Sequence, residues 1–546
     1  MPEASYFVDK TKFIQEFWPN HAKVTLLTRP RRFGKTITQS MLYYFFSCEH
    51  AEEHRLLFDG LRVADYPDIM EHQGQYPVVF LTLKDWKYNS WEELQAGISL
   101  RLQDFFQDKR FFLDSEKISE DDKRQIRIFL AGESKPMQNE MALSFLLRLY
   151  STFYGRKVIL LIDEYDAPVQ QAFEHGYYDH AVAFMRNFLS VALKSNPLLE
   201  FAVLTGVLRI AKESIFSALN NLEVSSLLNG TYADAMGFTE EDVQKIAADY
   251  QKEDKLLEIK KWYDGYHFGA TDIYNPWSVV NYFAHRCEPD FYWINTSGNG
   301  IIKELMMHAD TRTLERVREV LSGHPIDAIL EEGLIYPDIY STPDSLFTML
   351  LTTGYLTAVQ MKQTMLGRLA SLCIPNLEVM SVYRVEILRR FQRRLQITDM
   401  EKLMQALLCG KEGAVQDGLS YYLEVLASTF DTGGRESFYH GFVLGMTAML
   451  VPDYEVRLNR ESGRGRYDIA VFPKEKGRSG VLLEFKVAGK GEKLETKAGE
   501  ALEQIEAKDY ISEFRERSIH VVYSYGIAFC GKELFVKMRK NVLTAV

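Results

Sequence analysis

Cysteine is sparse in this 546-residue chain, and its five copies are scattered. Cys48, Cys287, Cys373, Cys409 and Cys530 form no CxxC pair. That argues against a zinc ribbon or a disulfide framework and fits a reducing cytosol. Long apolar runs are missing too. No uninterrupted stretch approaches the ~20 residues that a helical membrane span needs. Residues 1–17 are charged and lack the apolar core of a secretory signal. The expectation is a cytoplasmic chain with no membrane partner. Repeats, low-complexity tracts and a long disordered linker are absent. A clear basic stripe is absent as well, and the formal net charge is −11. Residues 451–546 hold 18 Lys+Arg against 15 Asp+Glu, a net +3 that leaves −14 on the rest. Such a region permits contact with nucleic acid but does not demand it.

What is present is ordinary in bulk: 46% hydrophobic and 25% charged residues, as in soluble globular proteins. The length suggests roughly three to four domains. The informative stretch is Arg29-Pro-Arg-Arg-Phe-Gly-Lys-Thr36. Gly34, Lys35 and Thr36 form the second half of a phosphate-binding loop, in which Lys35 reaches the terminal phosphates and the Thr36 hydroxyl ligates Mg²⁺. The apolar run Val24-Thr-Leu-Leu-Thr28 before it predicts a buried strand, and residues 37–46 predict a helix. The loop then sits at a helix N-terminus, where backbone amides favour anions. The pattern wants glycine five residues before Gly34, and this chain has Arg29.

A second motif supports the first. Val158-Ile-Leu-Leu-Ile162 followed by Asp163-Glu164 suits a central parallel strand covered on both faces. Asp163 at its end would hold Mg²⁺ through water, and Glu164 would orient or deprotonate an attacking water. Each motif alone has a bland reading, chance for Gly-Lys-Thr and a solvated loop start for Asp-Glu. Their order, on strand ends, favours a nucleotide site. Residues 76–83 and 199–207 predict two further strands of one sheet. Thr205 ends the apolar stretch of the latter, where it would sense the γ-phosphate region. Arg209 would supply positive charge there or face a neighbouring subunit of a homo-oligomer, with a plain surface arginine the equal alternative. Arg31, Arg32 and Phe33 complete the expected loop, and the two arginines either line the phosphate pocket or form a solvated loop face.

A second constellation lies near the end. Residues 466–472 alternate like a strand, with Tyr467, Ile469 and Val471 on one face and Asp468 on the other. Residues 474–480 form a turn, and Val481-Leu-Leu-Glu-Phe-Lys-Val487 returns as a strand on which Glu484 and Lys486 share a face. Like charges held together resist joint ionisation unless a cation sits between them. Asp468, Glu484 and the Phe485 carbonyl are hard oxygen donors suited to Mg²⁺, and Lys486 could position or help deprotonate a water attacking a phosphodiester. A solvated hairpin face with a Glu-x-Lys cross-pair is the alternative. Glu436 and His440, four apart on an expected helix, share a face, and Glu436 is a further candidate metal ligand. Residues 497–514 predict an amphipathic helix from which Gln504 could reach the site. Glu436 and Gln504 taken singly also read as surface residues.

On these residues the chain resembles bacterial AAA-ATPase-like proteins that carry a C-terminal nuclease domain of the PD-(D/E)XK superfamily. The matching stretches begin with Tyr6-Phe-Val-Asp-Lys10, the loop 29–36 and Leu161-Ile-Asp-Glu-Tyr-Asp-Ala-Pro168. They continue through Thr205-Gly-Val-Leu-Arg-Ile210, Lys212-Glu-Ser-Ile-Phe216, Trp262-Tyr-Asp-Gly-Tyr266, Tyr274-Asn-Pro-Trp277, Gly354-Tyr-Leu-Thr357 and Ile374-Pro-Asn376. Asp468 with Glu484-Phe-Lys486 closes the series. The resemblance implies that Arg29 is the family's normal substitute for the first loop glycine. It also implies that Lys35, Thr36, Asp163 and Glu164 serve ATP and Mg²⁺, and that Asp468, Glu484 and Lys486 are a nuclease triad.

The expected fold class is α/β. Residues 1–225 would form a three-layer P-loop sandwich and 226–300 a helical lid, whose Trp262 to Phe268 aromatics either stack on a base or, more simply, pack a turn. Residues 301–410 read as helices followed by a hairpin, a winged-helix-like middle region that either binds DNA or bridges domains. Residues 411–546 would form a restriction-endonuclease-like α/β domain. Two functions remain in play. One is an ATP-binding and ATP-hydrolysing protein with a Mg²⁺-dependent nuclease acting on nucleic acid, DNA by preference. The other is a nucleotide-driven switch or scaffold whose silent nuclease fold binds a partner. A phosphotransferase built on the P-loop is a weaker third.

Overall fold

A computed structural model describes residues 6–208, 222–293, 302, 311–392, 397–427, 449–450, 453–458, 461–462, 465–489, 491–530 and 533–543. The chain divides into two compact units, one of residues 1–298 with 327–378, the other of 299–326 with 379–546. The expected 301–410 segment is thus shared between the two.

The first unit is built on β1 (Val24–Thr28), β2 (Val78–Thr82), β3 (Val158–Asp163), β4 (Leu199–Gly206) and β5 (Leu222–Ser225), all parallel, in the order β2-β3-β4-β1-β5. β1 and β3 are buried at every position, as strands covered on both faces must be. Leu27, Ile159, Leu161, Phe201 and Val203 project to one face and pack on Phe13, Phe17, Leu42, Phe45 and Phe46. The helix Lys35–Phe46 follows β1 directly. Between β2 and β3 run the helices Trp91–Gln107, Glu120–Ala131 and Pro136–Tyr154. Ser90 and Ser119 cap the first two by accepting from the amides of Glu93 and Asp122.

After β5 the chain forms a helical segment with the small hairpin β6 (Tyr266–Phe268) and β7 (Thr271–Ile273). Its core gathers Val243, Ile246, Ile259, Tyr263, Tyr274, Val279 and Tyr282. The aromatic stretch from Trp262 therefore packs a turn: Tyr263, Tyr266 and Phe268 are all buried. Then come β8 (Ile326–Leu330), the helix Pro343–Thr352, and the hairpin β9 (Thr357–Thr364) and β10 (Gly367–Cys373). The expected helix and hairpin are present, and β8 adds a third strand beside β10.

The second unit carries the sheet β11-β14-β15-β16-β17, with β11 (Tyr454–Leu458), β14 (Ile469–Pro473), β15 (Gly480–Val487), β16 (Val521–Cys530) and β17 (Glu533–Val542). The short pair β12 (Glu461–Ser462) and β13 (Gly465–Arg466) stands apart. β15 and β16 are parallel, and the helix Leu494–Ala507 lies in the crossover between them. Two sequence expectations shift here. β14 starts at Ile469, so Asp468 stands just before the strand, and Ile469 to Phe472 are buried on both faces because β14 is an interior strand. The expected helix over 497–514 breaks into Leu494–Ala507 and Ser512–Glu516 around Asp509, whose φ of 51° is left-handed. Among the described residues no helix is long and apolar enough to cross a membrane.

Candidate active sites

Because the first sheet is parallel, β1, β3 and β4 all end at one edge, and the segments that follow them meet there. Arg29 opens the loop of residues 29–36 and is 1% exposed. Its guanidinium donates to the carbonyls of Thr28 (2.9 Å), Ser225 (3.0 Å) and Tyr232 (3.1 Å) and to Ser225 Oγ (3.1 Å). It also lies 5.1 Å from the centre of the Phe268 ring. Burial pushes this group down to about 10. Residue 29 thus ties β1 to β5, a job glycine could not do.

The loop then turns through Arg32 (φ 68°) and Gly34 (φ 89°), both left-handed, and Gly34 caps the helix Lys35–Phe46. Loops of this kind aim backbone amides at an anion, and a helix N-terminus adds to the field. Lys35 is buried, which lowers its pKa, and its Nζ donates to the carbonyls of Arg29 (3.1 Å) and Pro30 (2.9 Å). Thr36 Oγ donates to Asp163 Oδ2 (2.7 Å), and Thr205 Oγ donates to Asp163 Oδ1 (2.6 Å). The amide of Glu164 in turn donates to Thr205 Oγ (3.3 Å). One hydrogen-bonded chain therefore joins the loop, the acidic pair and the end of β4. Glu164 is half-buried with φ of 51°, a conformation that costs a non-glycine residue about 1–2 kcal/mol.

The other expected loop residues go elsewhere. Phe33 is fully buried, 4.9 Å from the Tyr266 ring, and anchors the loop from below. Arg31 donates to Gln170 Oε1 (2.8 Å), and Arg32 stacks 4.5 Å over the Trp277 ring. Arg209 and the stretch 212–216 lie outside the described residues. Three neighbours escaped the sequence reading. Gln39 donates to the carbonyls of Ile162 (3.3 Å) and Val203 (3.0 Å), pinning the helix to β3 and β4. Its position one turn after Lys35, on a face of Leu42 and Phe46, was the available signal. Tyr165 donates to the Leu208 carbonyl (2.6 Å), and the buried Asp166 accepts from the amides of Val207 (2.8 Å) and Leu208 (2.9 Å). Burial raises the Asp166 pKa despite those bonds.

In the second unit the register pairs Ile469 with Leu483, so Asp468 comes opposite Glu484. Asp468 Oδ2 accepts from the Phe485 amide (2.7 Å), and the Asp468 amide donates to Glu484 Oε2 (3.3 Å). Glu484 is 4% exposed. Burial, then the nearby Asp468, pushes its carboxyl up to about 8. Burial also raises Asp468. Gln504 bridges the remaining groups: its Nε2 donates to Glu484 Oε1 and its Oε1 accepts from Lys486 Nζ. Gln504 therefore belongs to the cluster, not to the surface. It sits three residues after Ala501 and one before Ile505, both buried, so the apolar phase of the helix carried the signal. Gly526 faces Glu484 across β16, and a Cβ there would meet the Ala498 carbonyl at 2.1 Å. That missing side chain lets the helix with Gln504 lie against the sheet. Glu436 and His440 lie outside the described residues.

Both clusters fit a divalent cation by chemistry. In the first, a hydroxyl (Thr36) and a carboxylate (Asp163) converge; in the second, two carboxylates converge beside the Phe485 backbone. All are hard oxygen donors, and the raised carboxyls of Asp468 and Glu484 are what a cation would relieve. Among the described residues no group of three or more His, Cys, Asp or Glu side chains gathers as a metal cage.

Comparison with known families agrees with this partition. Residues 1–216 match the AAA-ATPase-like family, described as a predicted AAA-ATPase, and residues 434–539 match the PD-(D/E)XK nuclease superfamily. The chain joins an AAA-ATPase-like domain to a PD-(D/E)XK nuclease superfamily domain. It is also similar to a protein of Azotobacter chroococcum mcd 1 described as an uncharacterized protein in the vnfD 5' region, with 26% identity over 534 residues, 96% of this chain and 93% of that one. The likeness runs through both domains. The AAA-ATPase-like domain contributes the loop of residues 29–36 and the Asp163 chain. The PD-(D/E)XK domain contributes Asp468, Glu484, Lys486 and Gln504.

Proposed function

We propose that the AAA-ATPase-like domain binds and hydrolyses ATP, and that the PD-(D/E)XK domain is a Mg²⁺-dependent nuclease acting on nucleic acid, with DNA as the expected substrate. The observation that carries the reading is the pairing of the half-buried Asp468 with the buried Glu484, both carboxyls raised, beside an ammonium and an amide that hold each other. A purely structural sheet face would place apolar side chains there at lower cost.

In the ATPase half, Lys35 would exchange its loop carbonyls for phosphate oxygens, and Thr36 and Asp163 would hold Mg²⁺, which supplies charge neutralisation on the phosphates. Glu164 would accept a proton from the attacking water, with Thr205 fixing its backbone. Arg31 and Arg32 stand at the loop, and Arg209 is a candidate for further positive charge there. In the nuclease half, Asp468, Glu484 and the Phe485 carbonyl would hold the cation, with Glu436 a further candidate. Lys486, steered by Gln504, would orient the water that attacks the phosphodiester. Bound Mg²⁺ would lower the pKa of a water and stabilise charge on the scissile phosphate.

The test is cleavage of single- and double-stranded DNA and RNA by wild type and Glu484→Ala with Mg²⁺, beside ATP hydrolysis by wild type and Glu164→Gln. The reading expects cleavage lost only in the first variant and hydrolysis lost only in the second. Equal cleavage by wild type and Glu484→Ala would remove the nuclease assignment. Nucleotide binding without cleavage of any substrate would favour the switch or scaffold.

A further inference from the structure

The phosphate loop is held from outside its own sequence. Trp293, 1% exposed, donates from its indole Nε1 to the Arg31 carbonyl (3.0 Å). A peptide unit is planar, with carbonyl and amide pointing in opposite directions. Fixing the Arg31 carbonyl therefore fixes the direction of the Arg32 amide. Arg32 is the left-handed residue of the loop that is not glycine, and holding such a conformation without glycine needs an outside contribution. A second contact braces the residue before: Gly354 (φ 88°) approaches Pro30 so closely that a Cβ would stand 2.9 Å from the Pro30 Cβ.

Trp293 is itself held. Its backbone amide donates to Glu378 Oε1 (2.6 Å), and Ser278 Oγ donates to Glu378 Oε2 (2.7 Å). The Tyr355 ring lies 5.1 Å from the indole. Glu378 is fully buried, with its carboxyl pushed up to about 7 by burial. A buried carboxylate that only packed a core would be replaced at a gain by an apolar residue. Glu378 also occupies the first turn of the helix Leu377–Gln392 and is the last residue of the first compact unit, with Val379 opening the next segment of the second.

We propose that Trp293 is a positioning residue of the phosphate loop, locked by Glu378, and that ordering of the loop by nucleotide is thereby felt at the start of the helix Leu377–Gln392. The inference rests on the nucleotide reading above. Nucleotide binding selects the loop conformation in which the Arg32 amide points at phosphate. The same conformation presents the Arg31 carbonyl to the indole, so the two hydrogen bonds favour each other, and the effect is reciprocal.

The experiment uses the full chain and a non-hydrolysable ATP analogue with Mg²⁺, titrated by calorimetry. Trp293→Phe keeps a large ring and deletes the donor, and should weaken binding about tenfold. In an Arg32→Gly background the same substitution should cost less than threefold, because glycine takes the left-handed turn unaided. A packing role would give equal losses in both backgrounds. Glu378→Met, which keeps the length of the side chain and removes both acceptors, should weaken binding about threefold, and it carries the test should Trp293→Phe fail to fold. Hydrogen exchange should show the first turns of Leu377–Gln392 slowing when the analogue binds wild type, and not when it binds Trp293→Phe or Glu378→Met. Wild-type affinity in both variants overturns the positioning role. Unchanged exchange in wild type overturns the transmission. Wild-type protein that binds no analogue overturns the nucleotide reading itself, and the inference with it.

Discussion

Asp163 in the first unit has each carboxylate oxygen matched by a hydroxyl, from Thr36 and Thr205. Asp468 and Glu484 in the second unit face each other instead, and both carboxyls are raised. The first arrangement is satisfied by neutral hydrogen bonds before anything binds. The second stores unfavourable electrostatics that a cation would release. Binding at the two sites should therefore differ in its response to pH, and mutations should fail in different ways.

The largest effect tests the second cluster. Glu484→Ala should lower Mg²⁺-dependent cleavage on the order of 10³-fold, measured by gel assay, while ATP hydrolysis stays within about twofold. Loss of both activities would mean the clusters are not independent. Next, Glu164→Gln should slow ATP turnover by about 10²-fold while analogue affinity is kept, because the group is asked to move a proton, not to bind. Equal loss of affinity would make Glu164 a binding residue.

Arg29→Gly restores the glycine that phosphate loops usually carry at this place, yet it should destabilise the first unit by about 3 kcal/mol, seen in urea unfolding, because buried carbonyls lose their donor. An unchanged midpoint would show that residue 29 is not structural.

The pH response sharpens the contrast. A Glu484 carboxyl near 8 is protonated at neutral pH, so a metal must displace that proton. Mn²⁺ affinity of the second cluster should rise about tenfold per pH unit up to about 8 and then level off. The metal-free fold behaves in the opposite sense. Its folded-state value lies above the ordinary 4.5, so stability should fall as pH rises from 4.5 towards 8, where the native state alone holds the proton. Glu484→Gln should flatten both curves, and a flat wild-type curve would remove the contrast. The smallest effect belongs to Arg32→Ala, which removes a cation–π contact worth about 0.5–1 kcal/mol and should shift the melting temperature by only about 1 °C.

Much of this was legible in the sequence because strands and their ends leave local signals. The runs before Arg29 and Asp163 became β1 and β3, and Asp468, Glu484 and Lys486 came together as the strand spacing suggested. What stayed hidden depends on distant partners. Nothing near Arg29 says that its guanidinium reaches Ser225 and Tyr232. Nothing near Trp293 says that it serves the Arg31 carbonyl. Gln504 lay between the two cases: the helix phase pointed inward, but its partners Glu484 and Lys486 sit on another element, where only tertiary packing brings them close. Asp468 was placed inside a strand that in fact begins one residue later, since alternation cannot distinguish a strand's first residue from the turn before it.

Gly526 has a consequence for judging other copies of this domain. It offers no chemistry, yet the absent methyl is what allows a carbonyl of the crossing helix to approach the strand beside Glu484. An inventory of acidic and basic residues would pass a copy with alanine at this place as competent. Its glutamine would nonetheless be lifted out of reach, and the ammonium would swing free of the carboxylate. Silence in such a copy would be written in the spacing of its layers, with every reactive group still in place.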